Sequence, residues 1–314
     1  MINGDAVMDK VFIEKLNEVA KRVNEFLDNR VAMQENLQKV IYEAMRYSLL
    51  AGGKRIRPVL AIKSAEILGV SEEDVMPFAC AIEMIHTYSL IHDDLPAMDN
   101  DDYRRGRLSC HKKFDEATAI LAGDALLTMA FEVAAEGAER VENKSGGILA
   151  IKDIAYCAGT EGMIGGQVVD LDAETRKISE EELRYLCRRK TGALLRVPVM
   201  VATDVAGKTK TKEAEYLLEY ADTVGLAFQI KDDILDVEGD IAVLGKPIGS
   251  DAQEGKTTFV TLFGIEESKK ILDELTQKAL IACDNLEKLC DTQIQKDACG
   301  FFKELARFLL ERNY

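Results

Sequence analysis

Apolar positions recur along most of this chain with the three- and four-residue spacing of amphipathic helices. We find no stretch with the sustained apolar and polar alternation of a half-buried strand. Only five prolines occur, so long helices are allowed almost everywhere. The pattern predicts an all-α protein with helices roughly over 8–28, 33–50, 56–69, 73–95, 115–138, 147–164, 179–205, 211–238, 256–283 and 285–312. Breaks with turn chemistry fall at 51–53, 69–71, 137, 143–147, 239 and 245–247.

Two details refine this pattern of helices. Ser71 and Ser179 each precede a run of acidic residues, which predicts a helix N-cap followed by charges that favour the helix dipole. The helices over 115–138 and 211–235 are apolar around much of their circumference, so we expect them to be central.

Composition narrows the class of protein. The 314 residues are 47% hydrophobic and contain no linker or low-complexity segment, so a single domain over 1–314 is the simplest organisation. The net charge of −15 argues against nucleic acid or an anionic membrane surface as a partner. The charged N-terminal segment has no apolar core, and no apolar run approaches membrane-spanning length. Seven scattered cysteines, with no closely spaced pair, predict reduced thiols in a cytoplasmic protein.

Two aspartate clusters, 93–99 and 232–236, stand in otherwise apolar helical sequence. On a helix, Asp232 and Asp236 are four residues apart and share a face, where like charges repel unless a cation lies between them. The alternative is a solvated acidic face, but neighbours such as Ile234 are too apolar for it. We therefore interpret the second cluster as a cation site.

The first cluster predicts the same chemistry from a helix end. Pro96 cannot extend the helix, so the helix should end near Asp94 and place carboxylates where its dipole disfavours them. The following loop can then return Asp99 to the side of Asp93. A calcium-binding EF-hand loop is excluded, because the sixth position counted from Asp99 is Arg104 and not glycine.

Oxygen-only ligands suit Mg²⁺, which proteins usually share with substrate phosphates. Two cation-rich segments, 52–57 and 104–107, could grip such phosphates from two sides. Of the three histidines, His86 is seven residues before Asp93 and can reach the site, whereas His92 and His111 are interpreted as structural. Nucleotide-binding glycine loops are absent from the sequence. The chemistry indicates an enzyme that handles a phosphorylated substrate between two acidic walls.

Six motifs give the chain a family likeness. In chain order they are GGKRIRP, DDLPAMDNDDYRRG, LAGDALL, GGQVVDL, RKTGALL and FQIKDDILD. With them the sequence resembles the trans-isoprenyl diphosphate synthases from about Leu37 to the C-terminus. The spacing between Asp94 and Asp99 is similar to that of bacterial farnesyl diphosphate synthases and plant-type geranylgeranyl synthases. The resemblance implies the isoprenoid synthase fold, a single large helical bundle with a central cavity between two Asp-rich helices.

The resemblance also implies an activity and roles for individual residues. The activity is head-to-tail condensation of isopentenyl diphosphate with dimethylallyl and then geranyl diphosphate. The enzyme would be a homodimer, with the apolar 115–138 helix in its interface. Three Mg²⁺ ions, with Mn²⁺ as an alternative, would bind at Asp93, Asp99, Asp232 and Asp236. The allylic substrate would bind at Arg104, Lys190, Thr191, Gln229, Lys246 and Lys256. Isopentenyl diphosphate would bind at Lys54, Arg57, His86 and Arg105, and Gln167 and Asp170 would line the cavity.

Product length is predicted from the residues before the first cluster. Tyr88 is five residues before Asp93, where the resembling bacterial farnesyl synthases carry an aromatic residue, and Ser89 is one turn before Asp93. We expect these two residues to floor the cavity at the C15 product, farnesyl diphosphate. The alternatives are a geranylgeranyl (C20) synthase or a non-catalytic regulatory subunit, although such subunits typically lose one Asp cluster. A terpene cyclase would lack the second cationic site.

Overall fold

A computed structural model describes residues 2–238 and 256–310. Its helices are α1 (Ile2–Arg30), α2 (Lys39–Leu49), α3 (Ile56–Leu68), α4 (Glu72–Asp93), α5 (Cys110–Lys113), α6 (Glu116–Arg140), α7 (Lys144–Ala158), α8 (Met163–Ala173), α9 (Glu180–Cys187), α10 (Ala193–Val205), α11 (Lys212–Glu238), α12 (Phe259–Phe263), α13 (Ile265–Glu287) and α14 (Gln293–Leu310). A π-helical segment, Arg188–Gly192, joins α9 to α10. The antiparallel hairpin of β1 (Tyr103–Arg104) and β2 (Arg107–Leu108) is the only sheet within those residues. The predicted all-α class is confirmed.

Most predicted helices are present, but several segments are divided or shortened. The helix predicted from residue 285 begins only at Gln293, because α13 runs on to Glu287. The segment predicted over 147–164 is two helices, α7 and α8, separated by a turn at 159–162. A side chain at Gly162 would lie 1.9 Å from the carbonyl oxygen of Cys157, so this tight turn requires glycine. Similarly, Gly264 (φ 78°) divides α12 from α13. The helix predicted from residue 33 begins only at Lys39, because residues 33–38 are exposed and non-helical.

The predicted N-caps are confirmed. The Ser71 hydroxyl accepts a hydrogen bond from the Asp74 N–H at the start of α4. At the start of α9, Ser179 and Glu182 form a reciprocal capping box. Each cap satisfies N–H groups that the first helical turn leaves without partners, and so fixes where its helix begins.

Helices α4 and α6 pack closely because α6 presents glycine to α4. A Cβ atom at Gly123 would lie 2.1 Å from Nε2 of His92, and one at Gly137 would lie 2.9 Å from Cβ of Pro77. Gly137 was expected to break α6, but the helix continues through it to Arg140, and the glycine serves interhelical contact instead. Helix α4 is buried on nearly all sides, so it forms the centre of the bundle.

Helix α6 is less central than its sequence predicts. It leaves Ile120 and Leu121 exposed, by 44% and 54%, while α11 buries apolar residues along most of its length. Among the described helices, α6 alone is long and apolar enough by composition to cross a membrane, with a mean hydropathy of 1.5. This is weak support for a span, because the core helices of soluble proteins pass the same test. All seven cysteines are free and buried, in agreement with the prediction of reduced thiols.

Candidate active site

The first aspartate cluster lies at the C-terminal end of α4. Asp93 is the last helical residue, and the helix ends at Asp94 as Pro96 predicts. The N–H of Asp99 donates to the carbonyl oxygen of Asp93 at 2.9 Å, so the loop returns Asp99 to the helix end as expected. Asn100 then adopts a left-handed conformation (φ 52°) that turns the chain towards the β1–β2 hairpin.

Asp94 and Asp93 have opposite surroundings. Asp94 is buried, and its Oδ1 accepts hydrogen bonds from both Nε (2.9 Å) and Nη2 of Arg104. Arg104 also donates to Asp101, at 3.2 Å. Asp94 is therefore the residue that fixes Arg104, a role for which the sequence offered no signal.

Asp93 instead carries an electrostatic penalty. Burial, with the charges of Asp99 and Asp170, raises its pKa to about 6, while the charges of Lys190 and Arg104 oppose the rise. A divalent cation would reverse this penalty, because it stabilises the ionised carboxylate. The donor set thus fits a hard cation such as Mg²⁺.

The second cluster lies near the end of α11. Asp233 is buried and accepts from Nε2 of Gln229 (3.1 Å) and from the N–H of Phe259 (2.8 Å), so it secures the start of α12. Asp232 and Asp236 are half-buried and four residues apart on another side of α11. Among the described residues, no group of three or more His, Cys, Asp or Glu side chains converges on one point. Mg²⁺ usually takes one or two carboxylates from the protein and completes its shell with water and substrate phosphate.

The π-helical segment supplies a polar wall opposite the first cluster. Lys190 pairs with Asp170 of α8, and the hydroxyl of Thr191 donates to Oε1 of Gln229 at 3.2 Å. Burial lowers the pKa of Lys190, but Asp170, Asp93 and Asp99 together raise it above its ordinary value. Lys190 is therefore a cation that faces three carboxylates.

Helix α8 approaches this π-helical segment very closely. A Cβ atom at Gly166 would lie 2.2 Å from the backbone nitrogen of Lys190, so only glycine allows this approach. π-Helical turns inside α-helices are frequent at functional sites, and this one carries two of the predicted substrate-binding residues. The sequence analysis missed α8 as a separate helix; the glycines around residues 159–166 were the signal that could have found it.

A cationic wall lies beside His86. Burial, with the charge of Arg105, lowers the pKa of Arg57 to about 10, while the charge of Glu83 opposes this shift. Arg105 donates to the carbonyl oxygen of Gly52. Burial and then the charges of four arginines hold the pKa of His86 well below its ordinary value, so its imidazole is neutral at pH 7. This wall carries a surplus of positive charge, as an anion site requires.

The remaining predicted cations lie at the margins. Nζ of Lys54 lies 4.6 Å from the ring centroid of Phe308 in α14, an arrangement typical of a cation–π contact. Lys256 is half-buried shortly before α12, and Lys246 lies outside the described residues.

A cavity of about 490 Å³ runs between these walls. Its lining includes eight predicted site residues: Arg57, His86, Tyr88, Ser89, Asp93, Gln167, Lys190 and Thr191. Lys54, Asp99, Arg104, Arg105, Asp170, Gln229, Asp232, Asp236 and Lys256 do not line it. Of the ten other lining residues, two are polar, His92, which was interpreted as structural, and Asp124. The other eight are apolar and were not predicted: Leu90, Met98, Leu127, Met163, Ile164, Val168, Leu171 and Leu194. The lining therefore combines polar groups with a largely apolar surface.

The residues predicted to floor the cavity differ in what their hydroxyls do. Tyr88 is buried, its ring lies edge-on to His92 at 5.7 Å, and its hydroxyl has no hydrogen-bond partner among the described residues. Burial, with the charge of Asp93, raises the pKa of Tyr88 to about 12. The Ser89 hydroxyl donates to the carbonyl oxygen of His86, at 2.9 Å. The ring of Tyr88 is therefore the bulky group that meets the cavity.

Comparison with known proteins yields a consistent set of relatives. The polyprenyl synthetase family model matches residues 38–292. The chain is 43% identical to a farnesyl diphosphate synthase of Micrococcus luteus over 93% of this chain and 94% of that protein. It is 44% identical to a large subunit of a heterodimeric geranylgeranyl pyrophosphate synthase of Arabidopsis thaliana, over 85% of this chain and 72% of that protein.

A solved structure supports the same assignment. The geranyltransferase of Legionella pneumophila superposes with a TM-score of 0.84 at 30% identity, covering 97% of this chain and 99% of that one. The predicted isoprenoid synthase fold and the family resemblance are thereby confirmed. The chain therefore belongs to the polyprenyl synthetase family of enzymes.

Proposed function

We propose that this protein condenses isopentenyl diphosphate with dimethylallyl diphosphate and then with geranyl diphosphate, to give C15 farnesyl diphosphate and free diphosphate. One observation carries the proposal: the apolar cavity begins beside Asp93 and Lys190 and meets the buried ring of Tyr88. Such a space suits a diphosphate at the polar end and a hydrocarbon chain of limited length beyond it.

The acidic walls are proposed to hold the allylic diphosphate through Mg²⁺. Asp93 and Asp99 on one side and Asp232 and Asp236 on the other would hold the ions. When bound, Mg²⁺ supplies the positive charge that makes diphosphate a good leaving group. Lys190 is placed to add a donor to the same phosphates, since it keeps its proton among three carboxylates. Arg104, Lys246 and Lys256 are proposed to complete this allylic site.

Departure of diphosphate leaves an allylic cation that water would quench. The apolar side chains of the cavity exclude water, and the oxygens of Thr191 and Gln229 offer dipoles without a full charge. The departing diphosphate can take the final proton, so no dedicated base is needed. This agrees with a His86 that is neutral and surrounded by arginines.

Isopentenyl diphosphate is assigned to the cationic wall. Lys54, Arg57 and Arg105 would bind its diphosphate, and the neutral His86 can donate one N–H to it. Each of these contacts is of the charge-assisted kind that contributes about 1.5–3 kcal/mol. Gln167 is assigned to the cavity lining, and Asp170 is assigned to it only indirectly, through its ion pair with Lys190.

Chain length is tested with two substitutions at one position. In Tyr88→Ala the floor is removed, so the main product should lengthen towards C20, because close-packed side chains otherwise resist a further five carbons. The matched control, Tyr88→Phe, keeps the ring and should keep C15. Chromatography of the dephosphorylated products decides the outcome. If the wild-type enzyme makes chiefly C20, the alternative function of a geranylgeranyl diphosphate synthase is favoured. Several of the similar proteins carry that name.

We further propose a cytoplasmic homodimer formed by a single domain over residues 1–314, acting on small diphosphates without nucleic acid or a membrane span. Helices α6 and α7 leave apolar side chains exposed that a second copy could cover: Ile120, Leu121 and Ile148. Light scattering after size exclusion should give twice the mass of one chain, and Leu121→Asp should shift the protein towards monomer.

A further inference from the structure

The loop before α3 is held from inside by a buried ion pair. Nη1 of Arg55 donates to Oε1 of Glu83 at 2.9 Å, and the two side chains are only 1% and 3% exposed. The other nitrogens of the same guanidinium donate to Oδ1 of Asn24 (2.8 Å) and to the carbonyl oxygen of Leu49 (2.6 Å). Arg55 thus connects α1, the end of α2 and α4 through one side chain.

The backbone at Arg55 is unusual and gives the loop its direction. Its φ of 50° lies in the left-handed region, which is uncommon for a residue other than glycine. The inward side chain of Arg55 separates two outward cations: Lys54 is exposed before it, and Arg57 reaches the cavity after it. Arg55 itself does not line the cavity. Its geometry therefore determines where its neighbours lie.

The same loop also seats Arg105. The guanidinium donates to the carbonyl oxygen of Gly52, and a Cβ atom at Gly53 (φ 127°) would lie 2.9 Å from its Nη1. The path of the loop therefore sets the position of a third cation, one carried by the β1–β2 hairpin. Loss of the loop geometry would displace all three cations together.

Glu83 also controls the charge of this wall. It lies three residues before His86 on α4, and its carboxylate is committed to Arg55. Within the described chain, neither Arg57 nor Arg105 forms an ion pair, and the buried Nε of Arg57 has no hydrogen-bond partner. Partial burial lowers the pKa of both groups, and the charge of Glu83 opposes that shift. Glu83 thus neutralises the anchor and leaves two nearby guanidinium groups for an anion.

We propose that Arg55 and Glu83 are positioning residues of the isopentenyl diphosphate site. They hold the loop so that Lys54, Arg57 and Arg105 face one diphosphate, and neither of them touches the substrate. This inference rests on the proposed function.

The test replaces both members of the pair, because removing one partner leaves a buried uncompensated charge and the variant can fail to fold. Arg55→Met combined with Glu83→Leu replaces the charged pair by apolar side chains of similar volume. The matched control combines Arg30→Met with Glu136→Leu, which removes the ion pair between α1 and α6. Arg55→Lys keeps the charge and loses the three-way fork.

For each protein we would measure melting temperature, kcat, and KM for both substrates. A separate titration measures calorimetric binding of isopentenyl diphosphate in EDTA.

We expect the Arg55/Glu83 double variant to raise KM and Kd for isopentenyl diphosphate by about tenfold or more, with the allylic KM within about twofold of wild type. Arg55→Lys should give a KM for isopentenyl diphosphate between those of wild type and the double variant. The control pair should leave both KM values unchanged. Equal rises for both substrates, or a lower melting temperature with unchanged KM values, would overturn the inference. A wild-type protein that does not condense the two substrates refutes the proposed function instead, whatever the double variant does.

Discussion

The acid-rich ends of α4 and α11 look alike in sequence, yet each anchors its inward aspartate differently. Asp94 is held by the charged fork of Arg104, whereas Asp233 is held by a neutral amide and a backbone N–H. The preceding residue of each pair, Asp93 or Asp232, lies about 100° further round its helix and so faces another side. In each pair, one carboxylate is hydrogen-bonded within the fold, and the neighbouring carboxylate faces another side of the helix.

The difference in anchors has a consequence for stability. On α4 the anchor depends on charge, because without Asp94 the half-buried Arg104 would keep only its longer ion pair with Asp101. On α11 the two hydrogen bonds described for Asp233 depend on geometry, which a neutral side chain can partly reproduce. Substitutions that remove charge but keep shape therefore distinguish the two walls.

The largest expected effect is on turnover. Asp93→Ala and Asp232→Ala should each reduce kcat by at least about 10²–10³-fold, the usual result of removing one electrostatic contact to a developing charge. The fold should be intact or slightly more stable, because each substitution relieves repulsion between acids. Turnover at saturating Mg²⁺ and a thermal melt measure both effects. The exposed Asp172→Ala on α8 is the control, and half of wild-type activity in Asp93→Ala would refute the metal assignment.

Asp204, a buried acid with no cationic anchor, is a useful contrast to the aspartates of α4 and α11. Burial, and then Asp153, raise the pKa of Asp204 to about 8, and its Oδ2 is buried. Burial and the neighbouring charge of Asp153 both disfavour the ionised form, so Asp204 binds its proton more tightly when folded than when unfolded, where its pKa is about 3.9. Its stabilising contribution is therefore complete below about pH 4 and is lost as pH rises towards about 8.

Asp204→Asn should remove this loss. We expect the variant to be more stable than wild type by on the order of 2–4 kcal/mol at pH 7 and to match it near pH 4. Denaturant unfolding at the two pH values measures the difference. An equal effect at both values would show that the substitution acts through packing and not through the proton.

The α4 anchor gives the next effect. Asp94→Asn should lower the free energy of unfolding by about 1.5–3 kcal/mol, because it removes a charge-assisted bond to Arg104. It should also reduce activity, since Arg104 loses its orientation. Arg104→Lys, which keeps the charge and loses the fork, separates charge from geometry. A stability equal to wild type in Asp94→Asn would contradict the anchoring role.

The α11 anchor gives the smallest effect. Asp233→Asn keeps an oxygen that can accept from the Phe259 N–H, so the loss should be only about 0.5–1.5 kcal/mol. Asp233→Leu, of similar size, leaves both donors without an acceptor and should cost more. A loss in Asp233→Asn as large as that in Asp94→Asn would remove the distinction between the two walls.

The sequence predicted features that depend on neighbouring residues. Pro96 located the end of α4 and the return of Asp99, and the spacing of Asp232 and Asp236 placed both on one side of α11. The division of labour between Asp93 and Asp94 was not predictable, because adjacent acids differ only in which partners the tertiary fold brings to them.

Other features depended on distant parts of the chain. The residues of the π-helical turn at 188–192 do not distinguish it from a turn of α-helix, and its surroundings include the close approach of Gly166 from α8. The ion pair between Arg55 and Glu83 joins segments 28 residues apart, and periodicity carries no information on such contacts. The apolar cavity lining was likewise not predictable, because four of its residues lie on α8, which the periodicity did not separate from α7: Met163, Ile164, Val168 and Leu171.

The contact between Lys54 and Phe308 links the site to the order in which a ribosome makes the chain. The lysine is synthesised 254 residues before the ring on which it rests. Early helices can begin to fold as they emerge, but the lysine of the proposed isopentenyl diphosphate site gains its aromatic support only after α14 has left the exit tunnel. Nascent chains that carry both aspartate clusters but not yet α14 would therefore hold most of the proposed metal ligands without the finished site proposed for isopentenyl diphosphate. Full activity is in this sense a late event of translation.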